Sequence, residues 1–248
     1  MTIEVLVATL ALVTALIVAA VNAAFQRRLR MLESNLTEEA QEQAILDRYQ
    51  EPLVRAAYEL QSRLFNIVRQ EFLQRYPVER DGGLAATYAV NSTVWLVAQY
   101  FCWVEILRQE IQFVRLDDQR QTLHLQKLLD DIAHTFGSDS LDDPLRVFRS
   151  HQSAIGELMI IDGRDAAGQP RSECLGFAGF VERLEDPKFA RWFAALRDDV
   201  PTVAGRDSCP RLVQIQHLLV DFIDAVDPPP GVRFTRARSK TPAAYITP

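Results

Sequence analysis

Residues 84–104 read LAATYAVNSTVWLVAQYFCWV, 21 positions without a charged side chain. A helix of that length reaches about 30 Å, enough to cross the hydrocarbon core of a bilayer. The same stretch also suits the central helix of a globular bundle, covered by neighbours on every face. Thr87, Asn91, Ser92, Thr93 and Gln99 decide between the two, because several polar groups are costly in lipid. Glu105 follows at once, and no basic flank lies close by on either side. The segment therefore predicts a buried helix from about Leu84 to Val114 and an all-α fold. A second membrane span is the alternative.

Outward from this helix the chain repeats helical signals. Pro52 is tolerated at a first helical position, and Leu53, Ala56, Ala57, Leu60, Leu64, Ile67, Val68 and Phe72 recur at helical spacing behind it. Pro77, Gly82 and Gly83 mark a loop over residues 76–83. A helix is predicted from about Asp118 to Phe136. Another is expected to start at Asp142-Asp143-Pro144 and to carry Leu145, Phe148, Ile155 and Leu158. Residues 162–172, DGRDAAGQPRS, read as a polar loop. Helices at about 174–185 and 187–199 follow, and the last runs from about Pro210 to Val226, closed by Pro228-Pro229-Pro230. Ten glycines and scattered β-branched residues argue against a sheet.

A different apolar run, Val5 to Phe25, has only one strongly polar residue, Asn22, which lies near its end, where interfacial water can satisfy it. Its 21 uncharged residues, VLVATLALVTALIVAAVNAAF, have the length and character of a membrane span. A cleaved signal peptide would begin with a basic residue and have a shorter apolar core, whereas here Arg27, Arg28 and Arg30 come after the run. Under the positive-inside rule that flank, and all that follows, faces the cytoplasm. The expected organisation is a transmembrane anchor with its basic flank over 1–30 and a helical linker over 31–50. A helical bundle domain occupies 51–227, and a disordered, basic, proline-containing tail 228–248. The expected location is the cell membrane, single-pass.

The net charge of −6 is unevenly spread: residues 31–227 hold 20 basic and 32 acidic side chains. An acidic body is a poor match for a phosphate backbone, so nucleic acid is excluded as a partner. The lipid bilayer, through residues 5–25, and another protein are the partners expected.

Catalytic motifs are absent from the sequence. There is no GxxxxGK[ST] loop, no GxGxxG turn and no GxSxG elbow. The four histidines form no HExxH pair, and Asp131 with His134 reads as a solvated pair three residues apart. Cys102, Cys174 and Cys209 are too scattered for a disulfide framework or a zinc site. No catalytic, cofactor-binding or metal-binding residue is assigned.

One polar set stands out. Tyr88, Asn91, Trp95, Ala98, Cys102 and Glu105 share a stripe of the central helix, spaced three and four apart. If that helix is buried, so are Asn91 and Glu105, and a buried carboxylate needs a partner. Arg63 and Asn66 are the predicted partners. Glu105, Asn91, Arg63 and Asn66 are thus expected to form a buried polar network, with a Glu105–Arg63 ion pair at its centre.

Three stretches carry a resemblance. They are Tyr49-x-x-Pro52-Leu53-x-x-Ala56-Ala57-x-x-Leu60-Gln61-x-Arg63-Leu64-x-Asn66-Ile67, Gln99-Tyr100-Phe101-x-Trp103-Val104-Glu105-Ile106 and Phe189-Ala190-Arg191-Trp192-Phe193. Together they resemble a group of uncharacterised bacterial proteins, common in actinobacteria, that also begin with one membrane helix. The resemblance implies a membrane-anchored helical domain and no particular activity. The function expected is that of a membrane-tethered cytoplasmic interaction or regulatory module. An enzyme or ligand-binding protein with an all-helical pocket near Glu105, and a two-span membrane accessory subunit, are the alternatives.

Overall fold

A computed structural model describes residues 26–28, 49–76, 83–111, 119–141, 143–164, 168–206, 208–227 and 238–242. They are mostly helical. Helix α1 covers residues 49–70. It is followed by α2 (Leu84–Ile111), α3 (Gln119–Gly137) and α4 (Arg149–Met159), then strands β1 (Ile160–Arg164) and β2 (Pro170–Cys174). Helices α5 (Phe177–Arg183), α6 (Pro187–Ala190), α7 (Ala194–Thr202) and α8 (Pro210–Val226) complete the order.

Helix α2 is the hub. Leu96, Val97, Ala98, Tyr100, Phe101, Cys102 and Trp103 are all buried, nearly without a break, so that neighbours cover every face of the helix. It packs against α4, α5, α7 and β2, while α3 packs against α8 and α4. Helices α2 and α4 approach closely at Gly156 of α4, where an added Cβ would lie 2.7 Å from the Phe101 carbonyl oxygen. Among the described residues no helix is long and apolar enough to cross a membrane. Most of the segment from Ala89 to Trp103 is thus buried inside the protein, while Leu84, Thr87 and Tyr88 at its start are exposed; the proposed span at 5–25 lies outside the described residues.

Helix α1 buries the face predicted for it, with Leu53, Ala56, Ala57, Leu60, Leu64 and Ile67 in the core. The chain then turns through Glu71 at a φ of 53°, and the Phe72 amide donates to the Asn66 carbonyl. This turn folds Phe72 back against its own helix.

Three expected elements differ. Residues 162–172 are not a plain loop: β1 and β2 pair antiparallel, with Ile160 opposite Cys174 and Arg164 opposite Pro170. Their polar side chains gave no alternating apolar pattern to detect. The helix expected at Asp142–Pro144 begins instead at Arg149. Tertiary bonds take the preceding segment: the Leu145 amide donates to Asp199 Oδ2 (2.7 Å) and the Val147 amide to the Phe136 carbonyl. Leu145 itself adopts a φ of 64°. The helix expected at 187–199 breaks at residues 191–193 into α6 and α7, around the packed rings of Phe180, Phe189 and Phe193.

Arg211, near the start of α8, was not anticipated. It is fully buried, yet it donates to the carbonyls of Thr135, Phe136, Ser138 and Leu141. The guanidinium thereby caps the C-terminal end of α3, where carbonyls lack helical partners and positive charge is favoured. Its own amide donates to Asp143 Oδ2 at 2.7 Å, so Asp143 caps α8 across a distance of 68 residues.

Part of the tail, expected to be without structure, is docked. Residues 238–242 run along α8. Gln216 is buried and donates to the Ser239 carbonyl and to Gln61 Oε1, while its own Oε1 accepts from the Thr241 amide and hydroxyl. His217 Nε2 lies 2.7 Å from the Thr241 carbonyl; a carbonyl can only accept, so that nitrogen carries the proton. Arg238 pairs with Asp224 and Asp227, and Lys240 with Asp221.

Candidate functional site

The predicted polar network does not form as one unit. Glu105 is buried, as expected, but its partners are Arg108 and Gln109 on its own helix. Arg63 is elsewhere. Its Nη1 donates to Ser92 Oγ at 2.9 Å and to Thr93 Oγ1 at 3.0 Å. Ser92 and Glu105 are 13 residues apart on α2, or about 20 Å along the axis, beyond the reach of one side chain. The Glu105–Arg63 pair is therefore corrected to two separate sites. Asn91 is buried, and its Oδ1 has no hydrogen-bond partner among the described residues. Asn66 is half-buried and lines the same cleft as Arg63.

This cleft lies nearer the start of α2 than the pocket near Glu105 that the alternative reading named. It has a volume of about 480 Å³ and lies between α1, α2 and α5. One wall is charged or polar, from Glu59, Ser62, Arg63, Asn66 and Ser92. The other is aromatic: the Phe177 ring packs edge-on against both Tyr88 (5.8 Å) and Trp95 (5.7 Å). Trp95 is fixed by a bond from its Nε1 to the Leu175 carbonyl, 3.0 Å away.

Local chemistry sets Arg63 in place. The hydroxyls of Ser92 and Thr93 both donate to the Ala89 carbonyl, one helical turn back, so their oxygens face Arg63 as acceptors. Phe72, folded back by the turn at Glu71, lies with its ring 4.1 Å from the guanidinium carbon. Burial pulls the Arg63 pKa below the usual guanidinium range, and the nearby Tyr88 and Tyr76 phenols oppose the shift. Arginine remains charged under such shifts. Among the described residues no carboxylate pairs with it. Glu59, one turn earlier on α1, interacts instead with Gln99 of α2. Burial raises its carboxyl above the ordinary value, against the lowering effects of Arg55 and the Gln99 hydrogen bond.

The structure also brings the thiols of Cys102 of α2 and Cys174 of β2 close enough to interact, although far apart in sequence, and the Cys174 thiol donates to the Leu175 carbonyl. Both are free, as is Cys209. Among the described residues no group of three histidines, cysteines or acids could hold a metal ion.

The sequence pointed to Arg63, Asn66, Tyr88 and Trp95 without joining them as a cleft. It gave no signal for Phe177, whose contribution depends on where the hairpin places α5. No family model matches the chain, and neither does any curated protein or any solved structure.

Proposed function

We propose that the protein is a single-span, membrane-tethered helical module that works on the cytoplasmic side by binding another protein. The observation that carries this reading is an apolar surface at the mouth of the cleft. Leu84 is 74% exposed and Tyr88 53%, one turn apart on α2; Val181 of α5 is 36% exposed. The Tyr88–Phe177 ring contact joins the two helices, and Val181 lies one turn beyond Phe177 on α5. Exposed apolar side chains on two helices in contact are candidates for an interaction site when they form a contiguous patch. The tether rests on the uncharged run 5–25, and the orientation on Arg27, Arg28 and Arg30 behind it. The burial of most residues from Ala89 to Trp103 of α2 supports the single-span reading over the two-span alternative.

The experiment is site-specific photocrosslinking in native membranes, with a benzophenone amino acid in place of Leu84. A discrete adduct at that position, absent when the probe replaces the exposed Phe148 on another surface, is the expected outcome. Equal or no crosslinking at both positions would discard the reading.

A further inference from the structure

We propose that the cleft between α1, α2 and α5 is a ligand site for a small aromatic molecule bearing one anionic group, a carboxylate or a phosphate. This function goes beyond protein binding and does not depend on it.

The anion is inferred from Arg63. A half-buried guanidinium is ordinarily matched by a carboxylate, and its i–4 neighbour Glu59 is placed to supply one. Yet among the described residues no ion pair joins the two: Arg63 is held at Ser92 and Thr93, and the cation that acts on Glu59 is Arg55. Both hydroxyls bind Nη1, so Nε and Nη2 have no hydrogen-bond partner among the described residues. That edge of the guanidinium is a two-pronged donor whose geometry matches a carboxylate or phosphate. The stacked Phe72 ring and the two hydroxyls hold the fork in one orientation before any ligand arrives. An anion at the fork would also offset the charge that burial disfavours. The acidic body repels anions at long range, but salt screens that field within about 10 Å.

The ring is inferred from the opposite wall. Tyr88, Trp95 and Phe177 line the same cleft as Arg63 and meet edge to face, and a flat guest would stack on the ring faces that these contacts do not cover. Its volume of about 480 Å³ lies in the range of small-molecule sites.

The test uses the full-length chain in non-ionic detergent, followed by fluorine NMR. The probes are 4-fluorobenzoate and 4-fluorophenyl phosphate, with 4-fluorobenzyl alcohol as the ring without charge. Acetate and inorganic phosphate serve as charges without a ring. At least one charged aromatic probe is expected to bind about tenfold or more tightly than the alcohol, and the simple anions to displace it poorly. Whichever anion binds more tightly supports the proposal and assigns the headgroup. Arg63→Gln should weaken binding by about tenfold, while Arg149→Gln, an equal loss of charge on an exposed site, should leave it unchanged. Tyr88→Ala removes a half-exposed ring and tests the aromatic wall without disturbing the core; a loss of about threefold is expected. The proposal is overturned if the folded protein binds neither charged probe, or binds the alcohol equally well. Wild-type affinity in Tyr88→Ala, or in a folded Arg63→Gln, would overturn it too.

Discussion

Glu105 is bound by Arg108, one turn further along the same helix, through Oε1 at 2.5 Å and Oε2 at 2.9 Å. Burial alone would raise the Glu105 pKa; hydrogen bonds from Arg108 and Gln109, with the Arg108 charge, outweigh it and hold the carboxyl below its ordinary value. Arg108 is half exposed, so solvent screens much of the attraction. In urea unfolding of the full-length chain, Glu105→Ala and Arg63→Ala should be additive. Glu105→Ala and Arg108→Ala should couple by about 0.5 kcal/mol. Because the folded pKa is depressed, this stabilisation is present above the ordinary value of 4.5 and disappears as pH falls through the folded pKa. Glu105→Gln should therefore remove part of the acid-induced loss of stability. Coupling between Glu105 and Arg63 would contradict the geometry.

Arg211 should be among the most sensitive positions in the chain. Its guanidinium satisfies the carbonyls of Thr135, Ser138 and Leu141, and its amide uses Asp143. Arg211→Met would leave those acceptors unpaired, at a cost of about 3–5 kcal/mol. Arg211→Lys should recover little, because one ammonium cannot span acceptors that a planar fork reaches together. Denaturant midpoints of the three proteins check this.

Gly156 sets the distance between α2 and α4. An added Cβ would approach the Phe101 carbonyl oxygen to 2.7 Å and Glu105 Cβ to 2.8 Å. A backbone oxygen within a helix cannot move aside cheaply. Gly156→Ala should cost about 1–3 kcal/mol by overpacking, despite the better helix propensity of alanine. A thermal melt of the variant that matches wild type would show that the helices separate easily.

The docked tail is predicted to contribute to stability. Removing residues 228–248 strips buried Gln216 of its bonds to Ser239 and Thr241 and leaves Asp221 and Asp224 without Lys240 and Arg238. The expected loss is about 1–3 kcal/mol. In the truncated chain Gln216→Leu should restore little of it, since the buried Gln61 then loses the bond that Gln216 donates. Hydrogen exchange at α8 would report both effects.

Thiol chemistry should separate the three cysteines. Cys102 is fully buried; the interaction with Cys174, burial and the Glu105 charge all push its pKa far up. Burial and Asp143 raise Cys209 to about 11, against an opposing effect of Arg206. Thiolate is the reactive form, so both should resist maleimide at mildly alkaline pH. Cys174, half-buried, should be labelled first in peptide mapping of the native protein.

Helices marked by their own residues were legible in the sequence. Pro210 opens α8 and the proline run follows its end, so its span of Pro210–Val226 could be read directly. The uncharged but polar-dotted segment 84–104 was sufficient to place α2 at the centre. Asp142-Asp143-Pro144 carried an equally strong local signal, yet no helix starts there. Asp143 and its neighbours are used by α3, α7 and α8, and those distant bonds outweigh a local preference worth a fraction of a kcal/mol per residue.

The sequence alone determined that Glu105 and Asn91 would be buried and that Arg63 would face α2, since helical periodicity fixes which residues share a face. Periodicity does not fix how far one helix slides along another. Tertiary packing set that offset, giving Arg63 the hydroxyls of Ser92 and Thr93 and leaving Glu105 to its own helix. It also swung Phe177 against Tyr88 and Trp95 through a hairpin with no apolar alternation to announce it. The cleft exists because side chains 80 or more residues apart meet across elements whose relative positions depend on the whole core.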